Sequence, residues 1–373
     1  MISENLRRTI GLIVNPIAGM GGSVGLKGTD GAMHRKALEL GARAIAPGRT
    51  RELLSRIKRS ASIHILAAPG IMGERYLAET DLQFSPIGVL GAETSSEDTR
   101  RLACAMRESK VDLLVFVGGD GTARDIYDAV GLSVPVVAVP CGVKVYSAVF
   151  AVNARAAAEM LNAFVDGVDV CDEEVLDIDE VVFRQGRLEA RLYGYLSVPN
   201  VRAYIQGGKE SSSLGEASAE AKQELANSVI GDMDRGTLYL LGPGTTVKAI
   251  SDRLGLAKTL LGVDAVRDHG LLASDLNEQK ILQLLDAYEQ AKIIVTPLGG
   301  NGFIFGRGNK QFTPRVIKRV GKANIVVIAT REKMRTLKVL RIDTGDYQLD
   351  ESLAGYIEVT VGFHHTKMTR VSC

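Results

Sequence analysis

Short apolar runs closed by Gly, Pro or Asn recur through the first 140 residues: Thr9 to Val14 ahead of Asn15-Pro16, Ile63 to Ala68, Pro86 to Leu90, Leu113 to Val117, and Pro135 to Pro140. Each is too short for a helix and rich in Val, Ile and Leu, the pattern of parallel strands buried on both faces. Helical patterns lie between them. Thr94-Ser-Ser-Glu97 reads as a capping box, and Leu102 and Met106 fall on one face of the helix it opens. Strands alternating with helices predict an open α/β sheet.

The pattern changes near residue 150. Ala154 to Asp166 reads as a connecting helix, and Val168 to Ser197 then alternates as strands do, with Val181-Val-Phe183 and Leu192-Tyr-Gly-Tyr195 around a turn at Gln185-Gly186. Gly207 to Ser218 reads as a mobile loop and Glu220 to Val229 as a short helix. Ile281, Leu284, Leu285 and Tyr288 mark a helix face leading into the buried run Ile293 to Thr296, and Asn324 to Ala329 and Val339 to Ile342 are further strands. The expected organisation is an α/β domain over residues 1–150, rejoined by the tail 330–373, and a β-rich domain with inserted helices over 151–329.

Composition narrows the class. A chain of 373 residues has room for two domains, and 45 Lys plus Arg against 44 Asp plus Glu leaves no global field to recruit nucleic acid or an anionic membrane. Aromatic residues are only 5% and Trp is absent, which argues against base-stacking platforms. Cys104, Cys141, Cys171 and Cys373 form no CxxC pair, so neither a disulfide framework nor a zinc site is read, and a cytoplasmic location is expected. The run after Arg7-Arg8 is too short for a signal-peptide core, and Val134 to Val152 is interrupted by Pro135, Pro140 and Lys144, so no membrane span is expected. The five histidines show no HxxxH spacing, no GxxxxGK[ST] loop occurs, and Gly19-Met-Gly-Gly-Ser-Val24 fails the dinucleotide fingerprint at Val24.

The 40 glycines carry the strongest chemical signal. Four clusters follow strand-like runs: Gly19, 21, 22, 25, 28 and 31; Gly118, 119 and 121; Gly242 and 244; Gly299, 300, 302, 306 and 308. Loops after the carboxyl ends of parallel strands converge on one edge, where glycines let backbone N–H groups approach an anion, so a phosphate-bearing ligand is expected. In Gly118-Gly-Asp-Gly-Thr122 the carboxylate of Asp120 stands at a strand-to-helix junction. It could take a hydroxyl proton or hold Mg²⁺ in phosphoryl transfer, or it could simply cap the helix Ala123 to Val130.

Asn15-Pro-Ile-Ala-Gly-Met-Gly-Gly22 followed by Gly-Gly-Asp-Gly-Thr at 118–122 resembles the superfamily of NAD kinases and diacylglycerol kinases. Within it the chain is most similar to bacterial and archaeal ATP-NAD kinase-like proteins. The likeness continues in order through Gly25 to Gly31, Gly142-Val-Lys144 with Ser147 and Phe150-Ala151, Gly242-Pro-Gly-Thr-Thr246, Leu261 to Val266, Thr296 to Asn309, and Val339 to Asp346. It implies an α/β domain, a β-rich domain and a nucleotide cleft between them. The implied reaction moves a phosphoryl group from ATP or polyphosphate to the 2′-hydroxyl of the adenosine ribose of NAD, with Mg²⁺ expected.

The same resemblance gives Asp120 the catalytic position. It carries a nucleotide-binding role onto Asn15, Pro16, Gly19, Gly21, Gly22, Lys27, Asp30, Gly118, Gly119, Gly121, Thr122, Asp125 and Lys144. In the later motifs the role falls on Gly244, Thr245, Thr246, Gly299, Gly300, Asn301, Gly302, Arg307 and Asn309. A homo-oligomer acting on small-molecule nucleotides is expected. The chain lacks an evident Asn-Glu pair of the NAD kinase type, and Arg124-Asp125 stands where lipid kinases of the superfamily place Asn-Glu. A nucleotide-binding regulator without turnover, or a kinase of another small-molecule or lipid acceptor, therefore remains an alternative.

Overall fold

The computed structural model describes residues 7–22, 24, 32–58, 60–91, 94–141, 145–178, 190–205, 216–298 and 301–373. They divide into two compact units, Met1–Met20 with Arg43–Gly208, and Gly21–Ala42 with Lys209–Cys373.

In the first unit, β1 (Arg8–Val14), β2 (Ile63–Ala67), β3 (Phe84–Pro86), β4 (Leu113–Gly118) and β5 (Val136–Pro140) pair in parallel in the order β3-β2-β1-β4-β5. Every residue of β4 and β5 is buried, which is why their sequences read as unbroken apolar runs. The first helices along the chain are α1 (Ala32–Glu39, in the second unit's segment), α2 (Ala46–Leu54), α3 (Glu74–Leu77), α4 (Ser96–Glu108), α5 (Asp120–Val130) and α6 (Ala154–Val165). Helix α4 packs on α5 and β1, and α2 packs on α6, β4 and β5.

Two local expectations shift. The capping box is built by Ser95 and Asp98, one residue beyond the Thr94 to Glu97 reading, because Ser95 is the residue that takes the extended conformation before the helix. Strand β3 lies at Phe84–Pro86 rather than Pro86 to Leu90, since the chain pairs Ile65 with Phe84 and then turns at Gly88, whose φ is +80°.

The hairpin of β6 (Val170–Ile178) and β7 (Ala190–Pro199) is antiparallel, as the alternation predicts, but it belongs to the first unit. Its buried Val175, Leu196 and Val198 face that unit, where β6 packs on α5 and β7 on β5, α5 and α6. The first unit therefore runs to Gly208, beyond the boundary expected at 150. The turn at Gln185-Gly186 and the run Val181 to Phe183 lie outside the described residues, as does most of the loop expected at Gly207 to Ser218.

The second unit adds α7 (Glu216–Gly231), β8 (Leu238–Leu241), α8 (Thr245–Arg253), β9 (Asp264–Arg267), β10 (Gly270–Ala273), α9 (Glu278–Ala287), β11 (Ala291–Val295), β12 (Phe303–Phe305), α10 (Pro314–Val320), β13 (Ile325–Ile328), α11 (Arg331–Thr336), β14 (Leu340–Ile342), α12 (Tyr347–Leu353), β15 (Gly355–Gly362) and β16 (His365–Ser372). Nine strands form one mixed sheet in the order β10-β9-β8-β11-β13-β15-β16-β14-β12. Its two faces split the buried residues by strand alternation: Leu238, Leu240, Ile293 and Val295 join one core, Tyr239, Leu241 and Ile294 the other. The strands of the tail 330–373 pair within this sheet, so the expected return of the tail to the first sheet does not occur. His364 stands in the turn of the β15–β16 hairpin with φ +52°, and a further strand follows it.

Candidate functional site

The chain lays β2 and β3 on one side of β1 and then returns to place β4 and β5 on the other. The order therefore reverses between β1 and β4, and the loops leaving their carboxyl ends flank the crevice where open α/β sheets bind ligands. Those loops are Asn15 to Gly22 and Gly118 to Thr122. They are joined directly: Asn15 Nδ2 donates to Thr122 Oγ1 at 3.0 Å, Asn15 N donates to the Val117 carbonyl at 2.9 Å, and Asn15 Oδ1 accepts from Ile17 N at 3.2 Å. Pro16 to Gly19 form the turn that follows, and Gly21 and Gly22 close a short 3₁₀ turn as the chain passes into the second unit.

Gly19 and Gly118 are required by close approach. A Cβ on Gly19, at φ +77°, would lie 1.8 Å from the Cys141 carbonyl oxygen, and one on Gly118 would lie 2.4 Å from Thr122 Oγ1. Gly19→Ala is expected to cost at least about 2 kcal/mol by combining left-handed strain with a backbone clash. Denaturant unfolding checks this, and an unchanged midpoint would contradict the packing of this loop on the end of β5.

Asp120 is the first helical residue of α5, with Gly119 at the cap position and no side-chain cap, so the capping role considered for Asp120 is not the one it plays. Its half-buried carboxylate instead accepts hydrogen bonds from Tyr146 and Ser147 in the segment after β5. Oδ1 accepts from Tyr146 N at 3.1 Å, Ser147 N at 2.8 Å and Ser147 Oγ at 2.6 Å, and Oδ2 accepts from Tyr146 N at 2.9 Å. Ser147 Oγ in turn accepts from Leu176 N at 2.9 Å, which ties the junction to β6. Burial, with the charge of Asp120 second, holds the Tyr146 hydroxyl well above the ordinary tyrosine range. Ser147 stood within the family-like motif, but its bond to Asp120 spans 27 residues and is invisible to spacing.

Asp125 is engaged within the first unit. It pairs with Arg100 of α4 at 2.5 Å, and burial raises its pKa while Arg100 opposes that rise. Gly121 and Thr122 continue the first turn of α5, with Thr122 buried. Lys27, Asp30, Lys144, Gly299 and Gly300 lie outside the described residues.

In the second unit, Gly244 caps α8 with φ +113° and its N donates to the Leu260 carbonyl at 2.9 Å. Helix α8 begins at Thr245, so Thr245 and Thr246 occupy its first turn and neither caps it. The loop that presents Leu260 is held by an ion pair with both side chains fully buried, Lys258 Nζ to Asp264 at 3.2 Å. Asp264 also accepts from Thr259 N at 2.9 Å and Asp275 N at 2.7 Å, while Lys258 donates to the carbonyls of Thr259 and Gly262. Desolvation lowers the Lys258 pKa against the pull of Asp264.

Beyond β11, Asn301 stands in a turn and the Gly302 carbonyl accepts from Arg341 N at 2.9 Å. Arg307 is buried, with its guanidinium 4.9 Å from the Phe303 ring centroid. Asn309 is fully buried and its Nδ2 donates to the Ile304 carbonyl at 2.8 Å.

Lys333 of α11, unremarked in the sequence, donates to the Pro297 carbonyl, and burial with Lys222 second lowers its pKa to about 8. The unfolded chain would keep that proton up to the ordinary lysine value of 10.5, so between about pH 8 and 10.5 it binds more protons than the folded chain and stability rises with pH. Lys333→Met is expected to flatten this rise, by about 3 kcal/mol across the window. Urea unfolding at several pH values reads it, and parallel profiles for the two proteins would contradict the buried amine.

None of the curated proteins compared with the chain matches it. Two solved structures from Bacillus anthracis, described as diacylglycerol kinases, are each 16% identical to it, with TM-scores of 0.24 and 0.23 over 46% of this chain. The match spans under half of their own length, 44% and 46%. Family profiles match far more of the chain: the ATP-NAD kinase N-terminal domain over residues 10–168 and the ATP-NAD kinase C-terminal domain over residues 235–371. With Asn15, Gly118, Asp120 and Thr122 gathered in the first matched region, and Gly244 to Asn309 in the second, the chain belongs to the ATP-NAD kinase family.

Proposed function

We propose that this protein transfers a phosphoryl group from ATP, or from polyphosphate, to the 2′-hydroxyl of the adenosine ribose of NAD, giving NADP. The observation that carries the reading is the junction of β4 with α5, where a glycine-flanked carboxylate stands at the β1/β4 switch point beside the Asn15 loop. The backbone N–H groups of this first turn and the partial positive charge of the helix start suit the phosphates. Asp120 would accept the 2′-hydroxyl proton as the new O–P bond forms and the P–O bond to the leaving phosphate chain breaks.

Mg²⁺ fits this junction as a companion of the donor. Among the described residues no three His, Cys, Asp or Glu side chains gather to form a protein cage, and Mg²⁺ commonly takes one or two carboxylates with the rest supplied by phosphates and water. Asp120 would be its protein contact only as the alternative to taking the proton, and the bound ion would neutralise the charge of the transferring group. The reading places the protein in the cytoplasm as a homo-oligomer. Among the described residues no helix is long and apolar enough to cross a membrane.

The test incubates purified protein with NAD, Mg²⁺ and either donor, and detects NADP with an NADP-specific dehydrogenase. Absence of NADP with both donors ends the acceptor assignment. A second reading, a nucleotide-binding regulator without turnover, is favoured by the hydrogen bonds from Tyr146 and Ser147 that already engage Asp120. It predicts saturable binding of NAD or ATP with no phosphoryl transfer.

A further inference from the structure

The stretch after β11 contains three buried polar atoms without a hydrogen-bond partner: Thr296 Oγ1, Asn309 Oδ1 and Gln311 Oε1. Their residues are 2%, 0% and 6% exposed. Asn309 is oriented by Nδ2, which donates to the Ile304 carbonyl at 2.8 Å, so its oxygen is the end left open. The chain segments involved adjoin one another beyond the carboxyl ends of β8 and β11. A Cβ on Gly308 would lie 2.8 Å from Leu298 Cδ1, one on Gly244 would lie 2.9 Å from Thr296 Cγ2, and one on Gly242 would lie 3.2 Å from Phe312 Cε2.

The two amide oxygens among these atoms do not suit a phosphate. A phosphate needs donors, whereas amide oxygens only accept, and a hydroxyl can do either. The nearby guanidinium of Arg307 is turned onto the Phe303 ring. Buried native acceptors are nearly always satisfied, so oxygens left open in one part of the fold call for an N–H-bearing ligand group. A planar –NH₂ carries two hydrogens at once and so suits paired amide oxygens better than a single ribose hydroxyl does.

We infer that Thr296, Asn309 and Gln311 recognise a planar amino group of the nucleotide, either the carboxamide of nicotinamide or the exocyclic amine of adenine. This rests on the dinucleotide reading above and assigns the stretch to the base end of the ligand rather than its phosphates. A site whose buried acceptors need such a group discriminates strongly against an analogue that lacks it, because the oxygens are then left desolvated and unpaired.

Calorimetric titration of the full chain with NAD, nicotinic acid adenine dinucleotide and nicotinamide hypoxanthine dinucleotide tests the inference. One analogue is expected to bind the wild type at least about 10-fold more weakly than NAD, and its identity names the amino group recognised. In Gln311→Met the ratio falls toward one through weaker NAD binding. Thr296→Val, nearly isosteric, gives the same direction should Gln311→Met unfold. Equal affinities for all three ligands in the wild type overturn the inference and leave the NAD reading standing, as does a ratio preserved in both variants. Failure of every dinucleotide to bind the folded wild type overturns both.

Discussion

If the proposed reaction holds, Asp120→Asn is expected to lower NADP formation by about 10²- to 10⁴-fold while the protein still unfolds cooperatively. The expected rate loss follows from removing the group proposed to take the hydroxyl proton. A smaller structural loss accompanies it, because the asparagine Nδ2 would face the Tyr146 amide, donor against donor, where Oδ2 now accepts at 2.9 Å. One buried hydrogen bond broken in this way costs about 1–3 kcal/mol. Ser147→Ala separates the two effects. It removes the 2.6 Å bond to Asp120 and the acceptor for Leu176 N while keeping the carboxylate. Turnover measured at saturating NAD should therefore fall far less in Ser147→Ala than in Asp120→Asn. Equal losses would mean that the carboxylate works only by anchoring the segment after β5.

Lys258→Met destabilises the chain by about 3–5 kcal/mol, the cost of leaving a buried carboxylate without its counter-charge. Both side chains of the Lys258–Asp264 pair are fully buried, so solvent cannot screen the orphaned charge. The double variant Lys258→Met with Asp264→Asn should recover part of that loss, since no net charge then remains buried, although the bonds to Thr259 and Asp275 are only partly kept. Urea unfolding with an unchanged slope reads both values. A single-variant cost under about 1 kcal/mol would place the pair among exposed ion pairs and contradict the burial. The effect should reach the candidate site, because the loop this pair closes offers the Leu260 carbonyl to Gly244 N at the start of α8.

Much of the first unit was legible because its signal is local. Unbroken apolar runs at Leu113 to Gly118 and Val136 to Pro140 can be satisfied only by burial on both faces, and the Gly-Gly-Asp-Gly-Thr segment marks a strand-to-helix junction wherever it stands. The ligand chemistry of single residues was less legible. Asp125 looks like a site carboxylate by position, yet Arg100, 25 residues away, holds it in an ion pair. The glycines after β11 suggested a phosphate cradle, yet the buried atoms left open beside them are acceptors.

By itself, then, the sequence determined that this is a two-part α/β and β-rich chain with a glycine-flanked carboxylate after a buried strand, because periodicity and turn chemistry act within a few residues. Only the tertiary structure decided that the β6–β7 hairpin joins the first unit, that the tail completes the second sheet, and that Asp120 is engaged by Tyr146 and Ser147. The reason is physical. Hydrophobic burial is non-directional and says that a face must be covered without saying by what, whereas hydrogen bonds and strand pairing choose their partners only once distance and angle are set.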